Sequence, residues 1–178
     1  MILPIKIGVV TASDRCSRGE RQDESGTLLK VLIEEHVSGE VIAYRVVPDD
    51  KECIQNVICH MVDTFFCDVV FTTGGTGLSP RDQTPEATRA IIEKEVPGIA
   101  EMVRMKSRRE TKFAMLSRAV AGIRGKTLII NLPGSPKAVL CAFKVLEPML
   151  LHAVKLIKGE VEDCQKLSYS LPSHSSSH

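Results

Sequence analysis

Residues 68–77, DVVFTTGGTG, decide the architecture: an apolar run of strand length, Asp68–Thr73, passes without a break into Gly74-Gly75-Thr76-Gly77. A short continuous apolar run ending at glycines is the pattern of a strand covered on both faces, as in parallel sheets flanked by helices. Ile5–Ala12 (IKIGVVTA) and Val41–Val47 (VIAYRVV) upstream have the same character, the second stopped by Pro48-Asp49-Asp50. Lys126–Leu132 (KTLIINL) repeats it downstream, before Pro133-Gly134-Ser135-Pro136. Between these runs, Leu28, Leu29, Leu32 and Ile33 recur at helical spacing, as do Cys53, Ile54, Val57, Ile58, Met61, Val62 and Phe65. Strands alternating with helices predict a three-layer α/β/α domain on a largely parallel (mixed) sheet.

After the glycines a further helix is expected, with Thr84 as its cap, Pro85 in its first position, Glu86 near its positive end and Pro97 as its stop. Ile99, Met102 and Val103 mark the next helix. Val139, Phe143, Leu146, Leu150, Val154 and Ile157 form one stripe of a long last helix, with a kink expected at Pro148. The domain is read as residues 1–159 and residues 160–178 as a polar tail, with Ser173–His178 low in complexity and disordered.

The chain has 178 residues, 43% of them hydrophobic, enough for one full-sized core, and no repeat or linker divides it. A net charge of +1 provides no field for nucleic acid or acidic membranes. Trp is absent and aromatics make up 4%, which disfavours a base-stacking platform. The opening MILPIKIGVV is short and lacks a basic start and cleavage site, and no stretch is long enough to span a bilayer. Six cysteines without a CxxC pair read as free thiols, several on core faces, in a reducing cytoplasm.

Ligands of open α/β sheets bind beyond the carboxyl ends of the strands. Four such ends are unusual here: Ser13-Asp14, Pro48-Asp49-Asp50, GGTG with Arg81-Asp82, and Asn131 through Ser135. The glycines admit a phosphate close to the backbone and can form an anion-binding nest, or they make only a turn. This is neither a Walker loop, since no Gly-Lys-Ser/Thr follows, nor GxGxxG, since Pro80 takes the third glycine's place. Asp49 and Asp82 could share one Mg²⁺; alternatively Asp49 caps a helix and Asp82 pairs with Arg81 or sits in a turn. Arg118 and Arg124 could face an anion, whereas Lys106, Arg108 and Arg109 fit a solvated helix face. His36, His60 and His152 have no partner at metal spacing, and Ser13, Ser117 and Ser135 have no histidine to make a nucleophilic triad.

VVTASDR, VVPDD, TTGGTGLSPRDQTPEAT, FAMLSRAVAGIRG and LIINLPGSPKA stand here in an order and spacing that resembles the molybdopterin adenylyltransferase family. That family comprises the bacterial Mog-type enzymes and the G domains of gephyrin and plant Cnx proteins, and the likeness runs from about Ile5 to Ile157. FAMLSRAVAGIRG separates the chain from the looser MoaB and CinA relatives. The resemblance implies transfer of AMP from Mg-ATP to the terminal phosphate of molybdopterin. It assigns Asp49 and Asp82 to catalysis and Mg²⁺, and Gly74, Gly75, Thr76, Gly77, Arg81, Asn131, Pro133 and Gly134 to the nucleotide. Ser13, Asp14, Ser117 and Arg118 fall to the pterin, with Asp14 and Asp23 as acidic positions of the N-terminal loop. It also implies a homotrimer and a molybdenum insertase of the MoeA type as partner. A MoaB-like or CinA-like role, or a pterin-binding scaffold without turnover, is the alternative.

Such a reaction needs no general base, because the attacking phosphate is already anionic. Positioning and charge neutralisation are the chemistry it requires.

Overall fold

The computed structural model describes residues 4–160; the polar tail expected at 160–178 lies outside it except for Glu160, as do Cys164 and the last two histidines. The order is β1 (Ile5–Ala12), α1 (Asp14–Ser17), α2 (Glu24–His36), β2 (Gly39–Val47), α3 (Lys51–Asp63), β3 (Val69–Thr73), α4 (Thr84–Arg89), β4 (Lys94–Glu95), α5 (Pro97–Ser107), a 3₁₀ turn (Lys112–Leu116), β5 (Ala121–Arg124), β6 (Thr127–Leu132) and α6 (Pro136–Lys158). These elements form the expected three layers around a six-stranded sheet of order β2-β1-β3-β6-β5-β4. The first four strands of that order run parallel, β5 pairs antiparallel with β6, and β4 pairs antiparallel with β5.

Alternation of side chains sorts the core into two halves. Ile7, Val9, Phe71, Leu128 and Ile130 face α2, α5 and α6, meeting Leu29, Ile33, Phe143, Leu146 and Leu150. Val10, Val70 and Ile129 face the other way, onto Ile54, Ile58 and Met61 of α3 and Ala87 of α4. Burial on both faces is what makes these strands continuous apolar runs.

Two expectations fail locally, the stop at Pro97 and the cap at Thr84. The helix after GGTG ends at Arg89, because the chain turns into edge strand β4; Pro97 therefore starts α5 and does not end α4. Its cap is Gln83, Thr84 is its first residue, and Pro85 follows in the second position. The small-residue segment AVAGIRG holds β5, whose pairing with β6 places Ala121 opposite Ile130. Through Pro148 α6 continues unbroken as one 23-residue helix. Of the five described cysteines Cys67 alone is buried, and burial pushes its thiol up to about 11; the others are partly exposed.

Candidate functional site

β1 leads outward to β2, and the chain returns past β1 to β3. The reversal falls between β1 and β3, the switch point at which open α/β sheets leave a crevice. There the ends of β1 (Thr11, Ala12, Ser13) and β3 (Thr73, Gly74, Gly75), with Asp49, Asp82 and Gly134, line a polar cavity of about 170 Å³.

Across the same loop lies a second, larger cavity of about 330 Å³. Thr76, Gly77, Ser117, Asn131 and Pro133 form its near side, and Val103, Phe113 and Leu116 belong to its apolar wall. The GGTG strip is thus a partition, with Gly74 and Gly75 on the polar side and Thr76 and Gly77 on the apolar side.

The partition is held by its carbonyls. Gly75 O accepts from Thr84 N–H at 3.1 Å, Thr76 O from Arg118 N–H at 2.8 Å, and Gly77 O from Arg118 Nε at 2.7 Å. Gly74 N–H donates back to Leu132 O at 3.2 Å, while the N–H groups of Gly75, Thr76 and Gly77 have no partner among the described residues. Gly74 and Gly75 both take positive φ, 92° and 63°. At Gly74 a side chain would also overlap the Ala12 carbonyl oxygen, so glycine is required there on two counts. A loop with its acceptors spent and three donors left over is built to receive an anion.

Asp49 and Asp82 come together at this cavity. Asp49 Oδ2 accepts from Asp14 N–H at 2.9 Å and Asp82 Oδ2 from Ser79 N–H at 2.9 Å, leaving each with one oxygen that accepts no hydrogen bond among the described residues. Burial pushes Asp49 above the usual carboxylate range, and the charges of Asp14 and Asp82 push the same way. A cation would relieve that repulsion. Two hard oxygens suit Mg²⁺, which keeps several waters and takes its remaining ligands from substrate phosphates. Among the described residues no cluster of three His, Cys, Asp or Glu could hold a metal alone. The cap of α3 is not Asp49 but Asp50, which accepts from Cys53 N–H at 2.9 Å.

Other expected residues have different surroundings. Asp14 and Arg81 form an ion pair, and the Arg81 guanidinium holds the Asp14 carboxyl below its usual range. Ser13 caps α1 through Cys16 N–H and lies by the polar cavity, whereas Ser117 lines the apolar one, so the two expected pterin serines stand on opposite sides of the loop. Arg118 spends its fork on Gly77 O, Asp82 O and the Glu86 carboxylate, and so shapes the loop from beneath. Asn131 is 2% exposed; it donates to Thr72 and Thr88 hydroxyls and accepts from Val120 N–H, which makes it a knot tying β3, α4 and β6. Arg124 stands at the far end of β6, bound to Asp63 at 2.8 Å, and cannot face this site. Lys106, Arg108 and Arg109 are exposed, as a solvated face requires.

Two features had no signal in the sequence. Arg104, on an ordinary helix face, holds the Ser117 and Ala119 carbonyls at 3.3 and 2.9 Å. The Thr84 hydroxyl is buried under Gly75 without a hydrogen-bond partner among the described residues.

Residues 8–152 match the family described as "Probable molybdopterin binding domain". A molybdopterin adenylyltransferase of Helicobacter pylori is 42% identical over 156 residues, 87% of this chain and 89% of that one. The molybdenum cofactor synthesis protein cinnamon of Drosophila melanogaster is 43% identical over 162 residues, 91% of this chain but 27% of its own length. A crystal structure of the molybdopterin biosynthesis enzyme MoaB of Thermus thermophilus superimposes with a TM-score of 0.82 at 45% identity, covering 87% of this chain and 97% of that one. Mog-type and MoaB-type names both occur among the structural neighbours.

Proposed function

Because the chain belongs to the molybdopterin-binding-domain family, we propose that it is a molybdopterin adenylyltransferase, which transfers AMP from Mg-ATP to the terminal phosphate of molybdopterin and releases pyrophosphate. The partition carries this reading. A flat heterocycle suits the larger cavity, whose apolar wall can stack on the ring while polar side chains meet its edge, a triphosphate suits the polar one, and the free N–H groups lie along the strip between them.

An oxygen of the pterin phosphate attacks the α-phosphorus of ATP; that P–O bond forms as the bond to the β-phosphate breaks. Both reactants are anions, so the barrier is charge. Gly75, Thr76 and Gly77 N–H groups offer fixed donors without adding negative charge. Asp49 and Asp82 would hold Mg²⁺, which when bound neutralises charge on the phosphates and the departing pyrophosphate. The N-terminus of α6, which opens at Ser135-Pro136 beside both cavities, adds the positive end of a 23-residue helix. Ser117 and Pro133 line the pterin side, and Ser13, Gly74 and Gly134 the nucleotide side. Asn131 and Arg118 act through the backbone they anchor.

A homotrimer, a cytoplasmic setting and an acceptor protein of the molybdenum insertase class complete the proposal. Free thiols among the described cysteines fit a reducing compartment, and none of the described helices is long and apolar enough to cross a membrane. The test is direct: the protein with molybdopterin, Mg²⁺ and labelled ATP should yield pyrophosphate and an AMP-bearing pterin. Pterin binding without pyrophosphate would favour a MoaB-like or scaffold role, which the Thermus likeness keeps in view.

A further inference from the structure

One ion pair beside the polar cavity has no part in the transfer as written. Arg81 donates Nε and Nη2 to the two Asp14 oxygens at 3.0 and 2.9 Å. The pair is lopsided: the Arg81 side chain is 63% exposed, Asp14 only 25%. Asp14 is also anchored, since its N–H donates to Asp49 and its Oδ1 accepts from Asp49 N–H at 3.1 Å. Of the two partners, only the arginine has room to leave.

Of the other guanidiniums near the site, Arg21 lines the polar cavity and stands 4.0 Å from the Glu24 carboxylate, while two are committed to fixed backbone. Arg118 holds carbonyls of the loop and Arg104 the carbonyls of Ser117 and Ala119. Arg81 holds nothing but a carboxylate, and its planar fork fits a phosphate equally well. Its neighbour in sequence, Asp82, lines the polar cavity, so a polyphosphate lying on the glycine strip comes within the arm's neighbourhood.

We propose that Asp14 masks Arg81: it occupies the guanidinium in the empty protein and yields it to a phosphate of ATP. The inference rests on the nucleotide reading of the cavity. Masking sets a threshold, because a ligand must gain more from Arg81 than Asp14 does, and apparent affinity falls by the fraction masked. Polyphosphates pass that threshold more readily than orthophosphate. Asp14 keeps its contact with Asp49 after the exchange, so the carboxylate pair is undisturbed when the arginine moves.

The experiment is ATP binding by calorimetry, with Mg²⁺ and without pterin so that no turnover occurs. Asp14→Asn retains an oxygen for Asp49 N–H but loses the ion pair; it should bind ATP about three- to fivefold tighter, the worth of a largely exposed pair. Arg81→Ala should weaken binding about tenfold, and adding Asp14→Asn to Arg81→Ala should then change nothing. Equal tightening with and without Arg81 would show simple removal of negative charge and overturn the mask; so would unchanged or weaker binding in Asp14→Asn. Unchanged affinity in Arg81→Ala would also overturn the mask, whereas no measurable ATP binding by the unmutated protein would overturn the nucleotide reading itself, a separate failure. The ¹⁵Nε resonance of Arg81 in the unmutated protein, identified by its loss in Arg81→Lys, should shift at saturating ATP; a resonance that stays in place overturns the exchange whatever the variants' stability.

Discussion

Asp14 and Asp49 hold each other by reciprocal hydrogen bonds, the N–H of each donating to the carboxylate of the other at 2.9 and 3.1 Å. They follow the last paired residues of neighbouring strands, Ala12 and Val47, so the exchange continues the β1–β2 ladder in side-chain form. The free oxygen of Asp49 is therefore placed by two backbones, with no dependence on a flexible rotamer.

Replacing either carboxylate should stop chemistry and spare the pterin. Asp49→Asn and Asp82→Asn are each expected to lower kcat by about two orders of magnitude or more, the usual scale for removing one preorganised electrostatic element. Pterin affinity, measured by equilibrium dialysis, should stay within about twofold, because the apolar cavity lies across the loop. Near-normal AMP transfer in either variant would remove that residue from the metal site.

Arg118→Lys keeps the charge and loses the fork that grips Gly77 O, Asp82 O and Glu86. The expected outcome is a raised KM for ATP together with a Tm lower by about 3–6 °C, since about 1–2 kcal/mol of part-buried hydrogen bonding is lost. A KM effect with no change in Tm would mean that Arg118 touches the nucleotide directly.

Asp23 caps α2 and collects hydrogen bonds from Thr11, Tyr44, Ser25 and Gly26 N–H. Burial would raise its pKa, but these bonds outweigh it and hold the carboxyl below its ordinary value. A depressed folded pKa stabilises above the unfolded value of about 3.9, and that stability is lost as pH falls through the folded pKa. Asp23→Asn should therefore lower Tm at pH 7, by about 6 °C for about 2 kcal/mol. The gap from the unmutated protein should close in the acid range, and a gap constant from pH 7 to pH 3 would contradict the account.

Asn131→Ala would strand the Val120 N–H and leave the Thr72 and Thr88 hydroxyls without their donor, all inside the core. A loss of about 3 kcal/mol is expected, read as a Tm lower by roughly 6–12 °C. Nucleotide affinity in the folded fraction should fall little. A large affinity loss at full stability would restore Asn131 as a ligand group.

What the sequence revealed divides along physical lines. The four parallel strands were legible because burial on both faces leaves an apolar run, and β1 falls on the expected residues, Ile5–Ala12. Strand β5 was not, because Ala121 and Gly122 pack small residues against a neighbour and give no period. Pro97 misled because proline suits the start of a helix as well as the end of one. The edge residues gathered as expected, since strand ends converge whatever the side chains do. The division of Ser13 from Ser117, and of Arg118 from the ligand face, depended on which way the loop turns at two glycines with positive φ. Residue order does not carry that information.

The partition built from Gly74 to Gly77 ties the selectivities of the two cavities together. It is a single thickness of backbone, pinned on both sides by Thr84 and Arg118. A substitution that moves it to widen one cavity narrows the other by a like amount. Enlarging the pocket for one substrate thus tightens the discrimination against the other, and variants able to use a bulkier nucleotide should be those that have lost tolerance for bulk on the heterocycle.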